Sequence, residues 1–241
     1  MKSKTFAAAF CLLFLSVAAF AQSVEITPRK ITYRRPKPVA SFKKTFTVTY
    51  PKVRASTPAL AKKIESAISF QKIFKLDLQK EIDDYQWLEE AGYEVGFNAN
   101  DILCVTLTLS GTGAYSSVYS KTAVVDLRTG ARVLPADVFT DLENLAARVR
   151  ALQKDEIKRA AEEYAKDPST ADFDASEYFD RADFTTENLK DFAVNEKGVT
   201  FTYDYGFPHV ALALEPDGAF FFSWTELKPF IKRDGLFGRF R

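Results

Sequence analysis

The chain has 241 residues, of which 46% are hydrophobic, with 33 Lys and Arg against 32 Asp and Glu and a single histidine. A net charge of +1 gives no electrostatic reason to expect nucleic acid or an anionic membrane as the main partner. One histidine removes the usual base for more than one Ser or Cys triad, and two cysteines far apart supply too few soft ligands for a structural zinc site.

The first stretch reads as a secretory signal. Lys2 and Lys4 charge its start, an apolar run follows from Phe6 to Phe20, and Ala19-Phe20-Ala21 supplies the small-x-small cleavage pattern. The run is shorter than the roughly 20 residues that span a bilayer, so no stable membrane anchor is expected. The mature chain then begins at Gln22, carries a net charge of −1 after losing two lysines, and works in the periplasm or outside the cell. Cys11 leaves with the signal, so Cys104 is alone; inside the apolar run Ile102 to Leu109 it is expected to be a buried small hydrophobe.

From residue 22 to 38 the chain is basic and broken by Pro28, Pro36 and Pro38, which predicts an extended lead-in or edge strand. Phe42 to Tyr50 alternates apolar and polar positions, the period of a half-buried strand. Thr57-Pro58 opens a helix with Leu60, Ile64 and Ile68 on one face, and a second helical pattern runs from Leu76 to Ala91, stopped by Gly92. Three antiparallel strands are predicted at Tyr93 to Phe97, Ile102 to Leu109 and Ser117 to Asp126. After the turn at Gly130, Pro135 to Phe139 reads as one helical turn and Leu142 to Ala165 as a long amphipathic helix. A hairpin follows, Phe192 to Val194 and Val199 to Tyr205, then a strand pair Val210 to Leu214 and Ala219 to Phe222, and a closing helix from Ser223, where Ser223 and Glu226 have capping-box spacing. The tail from Arg233 is expected to fray. Helices set against antiparallel sheet make an α+β fold, read as a single module from 22 to 241 whose two halves, about 40–140 and 141–232, interlock.

The acidic segment 172–180 places Asp172, Asp174, Ser176 and Asp180 at the first, third, fifth and ninth places of a calcium loop, but Glu177 stands where glycine is needed and Asp183 replaces the bidentate Glu. No metal site is assigned, and a solvated loop tacked down by Phe173, Tyr178, Phe179 and Phe184 is expected. No cofactor motif and no catalytic constellation is found. Tyr115 ends a glycine-bearing loop, Tyr205 ends a predicted strand before Gly206, and His209 follows Pro208; these three are the candidate ligand-binding residues, chosen as aromatic groups at exposed edges. Tyr119, Tyr203 and Phe207 also sit at ends of predicted strands; for all five aromatics core packing is the first expectation and a shared binding face the alternative.

Two stretches resemble a secreted domain family of unknown function, found in the extracytoplasmic part of the lysozyme-responsive anti-sigma-V factor and ahead of some peptidoglycan deacetylase domains. One is Gly113-Ala114-Tyr115 followed by Asp126-Leu127-Arg128-Thr129-Gly130 and Leu134-Pro135-Ala136-Asp137-Val138-Phe139, similar to that family's "DLxTG" turn and "LxDxF" helical turn. The other is Gly198-Val199-Thr200-Phe201-Thr202-Tyr203-Asp204-Tyr205 with Ser223 to Lys228, similar to its hairpin and closing helix. The resemblance implies an α+β envelope domain and carries over no contact residue. The function expected is a secreted or periplasmic, non-catalytic binding module of the cell envelope, its partner a protein or a glycan; a carboxylate-dependent envelope hydrolase is the alternative.

Overall fold

The computed structural model describes residues 22–166, 170 and 173–241. The expected signal, Met1 to Ala21, and Asp172 of the acidic segment lie outside them. The fold is α+β: a six-stranded mixed sheet and a three-stranded antiparallel sheet, with helices packed on both.

The large sheet has the order β1 (Glu25–Arg34), β2 (Thr45–Arg54), β3 (Leu88–Ala99), β4 (Ile102–Thr112), β5 (Ser116–Asp126), β6 (Ala131–Arg132). All neighbours are antiparallel except β2 and β3, which meet in parallel only at Thr47 and Val48. The prolines of the lead-in are accommodated as an edge strand must accommodate them. Pro28 faces Pro51 in the register, and Pro51 lies beyond the short contact with β3, so neither missing N–H interrupts an inner ladder.

Between β2 and β3 run α1 (Pro58–Ala67), α2 (Phe70–Ile73) and α3 (Leu78–Asp83). Each begins at a side chain that accepts a free backbone N–H: Thr57 from Leu60, Ser69 from Lys72, and Asp77 from Gln79 and Lys80. The helix expected from Leu76 to Ala91 ends at Asp83. Gln86 turns the chain through φ 50°, and Leu88 onward pairs with β4, where Leu88 faces Gly111 and Ala91 faces Leu109. The helical spacing of Leu78, Ile82, Tyr85 and Leu88 spans a turn, and non-local pairing claims its last residue.

Arg35 closes this corner from inside. It is 2% exposed, its guanidinium lies 4.9 Å from the Phe46 ring, and it donates to the carbonyls of Glu81 (3.2 Å), Lys43 (2.7 Å) and Leu88 (2.6 Å). The buried Glu81 carboxylate accepts the Leu88 N–H at 3.0 Å. A cation with its acceptors and countercharge thus supplied joins the end of β1, α3 and the start of β3.

After β6 come α4 (Pro135–Val138), which closes the first half, and then α5 (Leu142–Tyr164), α6 (Ser176–Arg181), β7 (Phe192–Val194), β8 (Gly198–Thr202), β9 (Ala219–Ser223) and α7 (Trp224–Leu227) of the second. The small sheet runs β7-β8-β9. Two cores result. Leu103, Val105, Leu107, Leu109, Ala123 and Val125 pack from one face of the large sheet against β2, α1 and α2. Ile102, Cys104 and Val124, on the other face, join Val149 of α5, Val199, Phe201, Phe220 and Phe222 of the small sheet, and Phe139 and Phe237. Residues from both halves therefore share this second core, with the Val194 N–H donating to Cys104 Sγ at 3.4 Å and a lone bridge between Phe139 and Ile231. Cys104 is the expected buried hydrophobe.

Three further expectations are corrected. Residues 209–214 form a 3-10 turn, Ala211 N–H bonding to Pro208 and Glu215 N–H to Leu212, and β9 pairs with β8 instead. Ser176 to Arg181 of the acidic segment is helical; Phe173, Tyr178 and Phe179 cluster with Phe207, whereas Phe184 is fully buried in the second core. The tail does not fray: Phe237 is fully buried, Phe240 stacks on Trp224 at 4.0 Å, and Arg239 reaches Asp101 at 2.5 Å.

Candidate functional site

Burial along β4 marks where the small sheet stops covering the large one. Residues 102 to 105 are buried on both faces, and from Thr106 to Thr112 burial alternates. The positions that emerge carry hydroxyls. Thr106 lies 3.0 Å from Thr122 across the β4 and β5 pair, Thr108 lies 3.0 Å from Ser120, and Thr112 lies 3.3 Å from Ser116, so the open half of this face presents a ladder of hydroxyl pairs. The opposite face of the same hairpin is braced by Trp87, whose indole donates to Ser117 at 3.2 Å and stands 5.5 Å from the Tyr119 ring. Gly111 permits this approach, since a Cβ there would sit 2.2 Å from the Trp87 carbonyl oxygen.

At the hairpin tip, the three-residue connection Gly113-Ala114-Tyr115 is closed by the Gly113 N–H on the Tyr115 carbonyl at 3.1 Å. Here the structure brings together two of the three residues chosen from sequence. Tyr115 and His209 stack with ring centroids 4.6 Å apart and planes 19° from parallel, and His209 Nε2 lies 3.2 Å from the Ser116 carbonyl oxygen. Tyr115 is 59% exposed, so the stack is presented to solvent on one side. On the two segments that meet here stand further large apolar groups in solvent: Val118 and Tyr119 on β5, Val210 and Leu212 on the 3-10 turn. Periodicity had no means of finding Val210 and Leu212, which fell within a predicted strand.

Tyr205 is elsewhere in kind. It is 6% exposed, packs edge-on to Tyr203 and Phe179, and donates its hydroxyl to Glu156 Oε2 of α5 at 2.7 Å. Burial, together with the adjacent Glu156 carboxylate, pushes its phenol pKa upward. Glu156 Oε1 accepts the Gly218 N–H at 3.2 Å, so this carboxylate ties two loop segments to α5. Beside it, a groove of 610 Å3 runs between α5 and β9, lined by Leu152, Asp155, Glu156, Arg159 and Phe221 among others.

Among the described residues, the carboxyl groups with displaced pKa values are lowered. A hydrogen bond from Lys43, 2.6 Å away, depresses Glu89; hydrogen bonds from Ser223 depress Glu226, and from Ser176, Asp174. In Asp101 burial pushes upward, and the hydrogen bonds from the Gln22 N–H and Arg239 outweigh it. Among the described residues no three His, Cys, Asp or Glu side chains converge as a metal would require, and no helix is long and apolar enough to cross a membrane.

The motif residues of the sequence are satisfied locally. Asp126 accepts from the Arg128 backbone and guanidinium, Asp137 accepts the Leu134 N–H at 2.8 Å, and Phe139 is buried among Phe192, Phe201 and Phe237. The same arrangement of elements recurs in solved structures. The chain shares its fold with DUF3298-family proteins. A family member from Bacteroides fragilis superposes with a TM-score of 0.56 at 14% identity, over 90% of this chain and 96% of its own. Another from Pseudomonas aeruginosa gives 0.52 at 12% identity, over 87% and 94%. At these identities the likeness to DUF3298 proteins is one of fold. No family model matches the sequence, and no curated protein matches it significantly.

Proposed function

We propose that this chain is a non-catalytic binding module of the cell envelope, secreted or periplasmic, that engages an envelope protein or glycan through the β4 and β5 hairpin tip and the 3-10 turn beside it. The observation that carries the reading is the solvent-exposed Tyr115 and His209 stack, which joins segments far apart in sequence. Two rings already fixed against each other lose little entropy on meeting a ligand, and the hydroxyl-lined sheet beside them offers donors and acceptors to sugar or backbone groups. The signal-like start supports the compartment, as does the resemblance to the extracytoplasmic part of the anti-sigma-V factor and to the deacetylase-associated domains. A carboxylate hydrolase would need an acid held protonated near neutral pH, and the displaced carboxyl groups described above all move the other way.

The test is capture from an envelope extract and co-sedimentation with purified peptidoglycan, using the wild-type chain and Tyr115→Ala. Truncation is expected to weaken binding at least about fivefold, the effect of roughly 1 kcal/mol at an exposed aromatic contact, with the melting temperature nearly unchanged. Equal capture by the variant removes the site, and release of soluble fragments from peptidoglycan by the purified protein would replace this reading with the hydrolase.

A further inference from the structure

The first described residue of the chain is held by a device more elaborate than a strand end requires. The Gln22 nitrogen lies 2.7 Å from Asp101 Oδ1, and the Asp101 N–H returns a bond to the Gln22 carbonyl at 3.0 Å. Two residues on, the Asn98 side chain does the same for Val24, accepting its N–H at 3.0 Å and donating to its carbonyl at 2.6 Å. The groups come from the two-residue turn between β3 and β4, where Asn100 at φ 56° and Asp101 at φ 62° adopt the left-handed conformation such a tight hairpin needs and Asn and Asp tolerate.

Asp101 is 6% exposed, and its second oxygen takes Arg239 of the C-terminal tail at 2.5 Å; Arg128 is the other charged group that acts on it. Its carbonyl accepts the Leu127 N–H at 2.8 Å, which fixes it to the end of β5. One oxygen of this buried carboxylate is taken by an arginine, and the other is an acceptor for the backbone nitrogen of Gln22, as an amide or as a charged amine. While a leader is attached, that nitrogen is a neutral amide. Cleavage after Ala21, where the small-x-small pattern puts it, turns the same atom into an α-ammonium group.

We propose that Asp101 is the binding site for the α-ammonium group of Gln22 created by removal of the leader, so that processing itself tightens the clamp on β1. The inference does not depend on the ligand-binding reading above. It has a chemical corollary at the same atom. A free amino-terminal glutamine cyclises when its unprotonated α-nitrogen attacks its own side-chain amide carbon, forming the lactam C–N bond and expelling ammonia. Ion pairing with Asp101 keeps that nitrogen protonated and its lone pair unavailable, so the folded protein resists the reaction.

The experiment compares two forms of the otherwise intact chain, one released from a fusion so that it begins at Gln22, the other retaining Ala19-Phe20-Ala21. The form that begins at Gln22 is expected to melt about 2–4 °C higher, the shift one charge-assisted hydrogen bond gives in a domain of this size, and Asp101→Asn is expected to erase the difference. Equal melting of the two wild-type forms, or a difference that survives in Asp101→Asn, overturns the proposal. Should Asp101→Asn fail to fold, intact mass decides: loss of ammonia from the wild-type protein is expected to be at least about tenfold slower than from a synthetic peptide of residues 22–34, as holding the nitrogen protonated requires. Equal rates overturn it, as does an exported protein whose sequence begins anywhere but Gln22.

Discussion

Tyr115 and Tyr205 are alike in sequence and opposite in the fold, and truncating each separates surface from core. Tyr205→Phe removes only the hydroxyl that donates to Glu156 at 2.7 Å. Glu156 is half-buried and keeps the Gly218 N–H, so water replaces the lost donor; about 1 kcal/mol is expected, or about 2–4 °C of melting temperature in a chain of this length. Tyr205→Ala also removes the ring, which is 6% exposed and sits 5.1 Å from Tyr203 and 6.1 Å from Phe179. That leaves a cavity next to a carboxylate short of a donor, a loss of about 3–5 kcal/mol, or about 6–20 °C. Tyr115→Ala forfeits only a half-solvated stack with His209, about 0.5–1 kcal/mol. Thermal and urea unfolding followed by circular dichroism on the three variants gives the order directly. A Tyr205→Ala protein within about 1 kcal/mol of wild type, or a Tyr115→Ala protein as damaged as Tyr205→Ala, would refute the placement of these rings.

Gly218→Ala is expected to lose more than about 1 kcal/mol, because φ is +59° and the new Cβ would lie 2.0 Å from the Tyr203 carbonyl oxygen; its melting curve checks this. Ser223→Ala breaks the capping box in which Ser223 Oγ accepts the Glu226 N–H at 3.3 Å, and urea titration should register about 1 kcal/mol. Burial raises the Cys104 thiol to about 11, so alkylation of the native protein should be as slow as global unfolding, and rapid modification in buffer would contradict its burial. The sign for stability follows. Folding favours the neutral thiol, so this contribution is intact below the unfolded pKa of about 8.5 and is lost as pH rises from there towards about 11. Cys104→Ser or Cys104→Ala should lack that alkaline component.

Local chemistry was legible without the fold. Thr57, Ser223 with Glu226, and Asn195, which accepts the Lys197 and Gly198 N–H groups, act within three residues of themselves, so spacing alone located the helix starts and one hairpin turn. The alternation in β2 and the apolar run of β4 likewise declared strands, because side-chain period follows directly from backbone geometry. Tertiary structure decided the rest wherever a distant partner outbid a local pattern. Leu88 to Ala91 continues a helical period but pairs with Gly111 and Leu109; residues 210–214 look like a strand, but the edge of β8 is taken by β9. Arg35 belongs by composition to a basic, solvated lead-in, and only the convergence of the Lys43, Glu81 and Leu88 carbonyls makes its burial tolerable. Tyr115 ends a glycine-bearing loop and Tyr205 a predicted strand, both read as exposed edges; α5 and the aromatic cluster of residues 173–182 cover one and leave the other in solvent beside His209. Which aromatic faces water is a property of what packs over it, and packing joins residues whose separation along the chain carries no local signal.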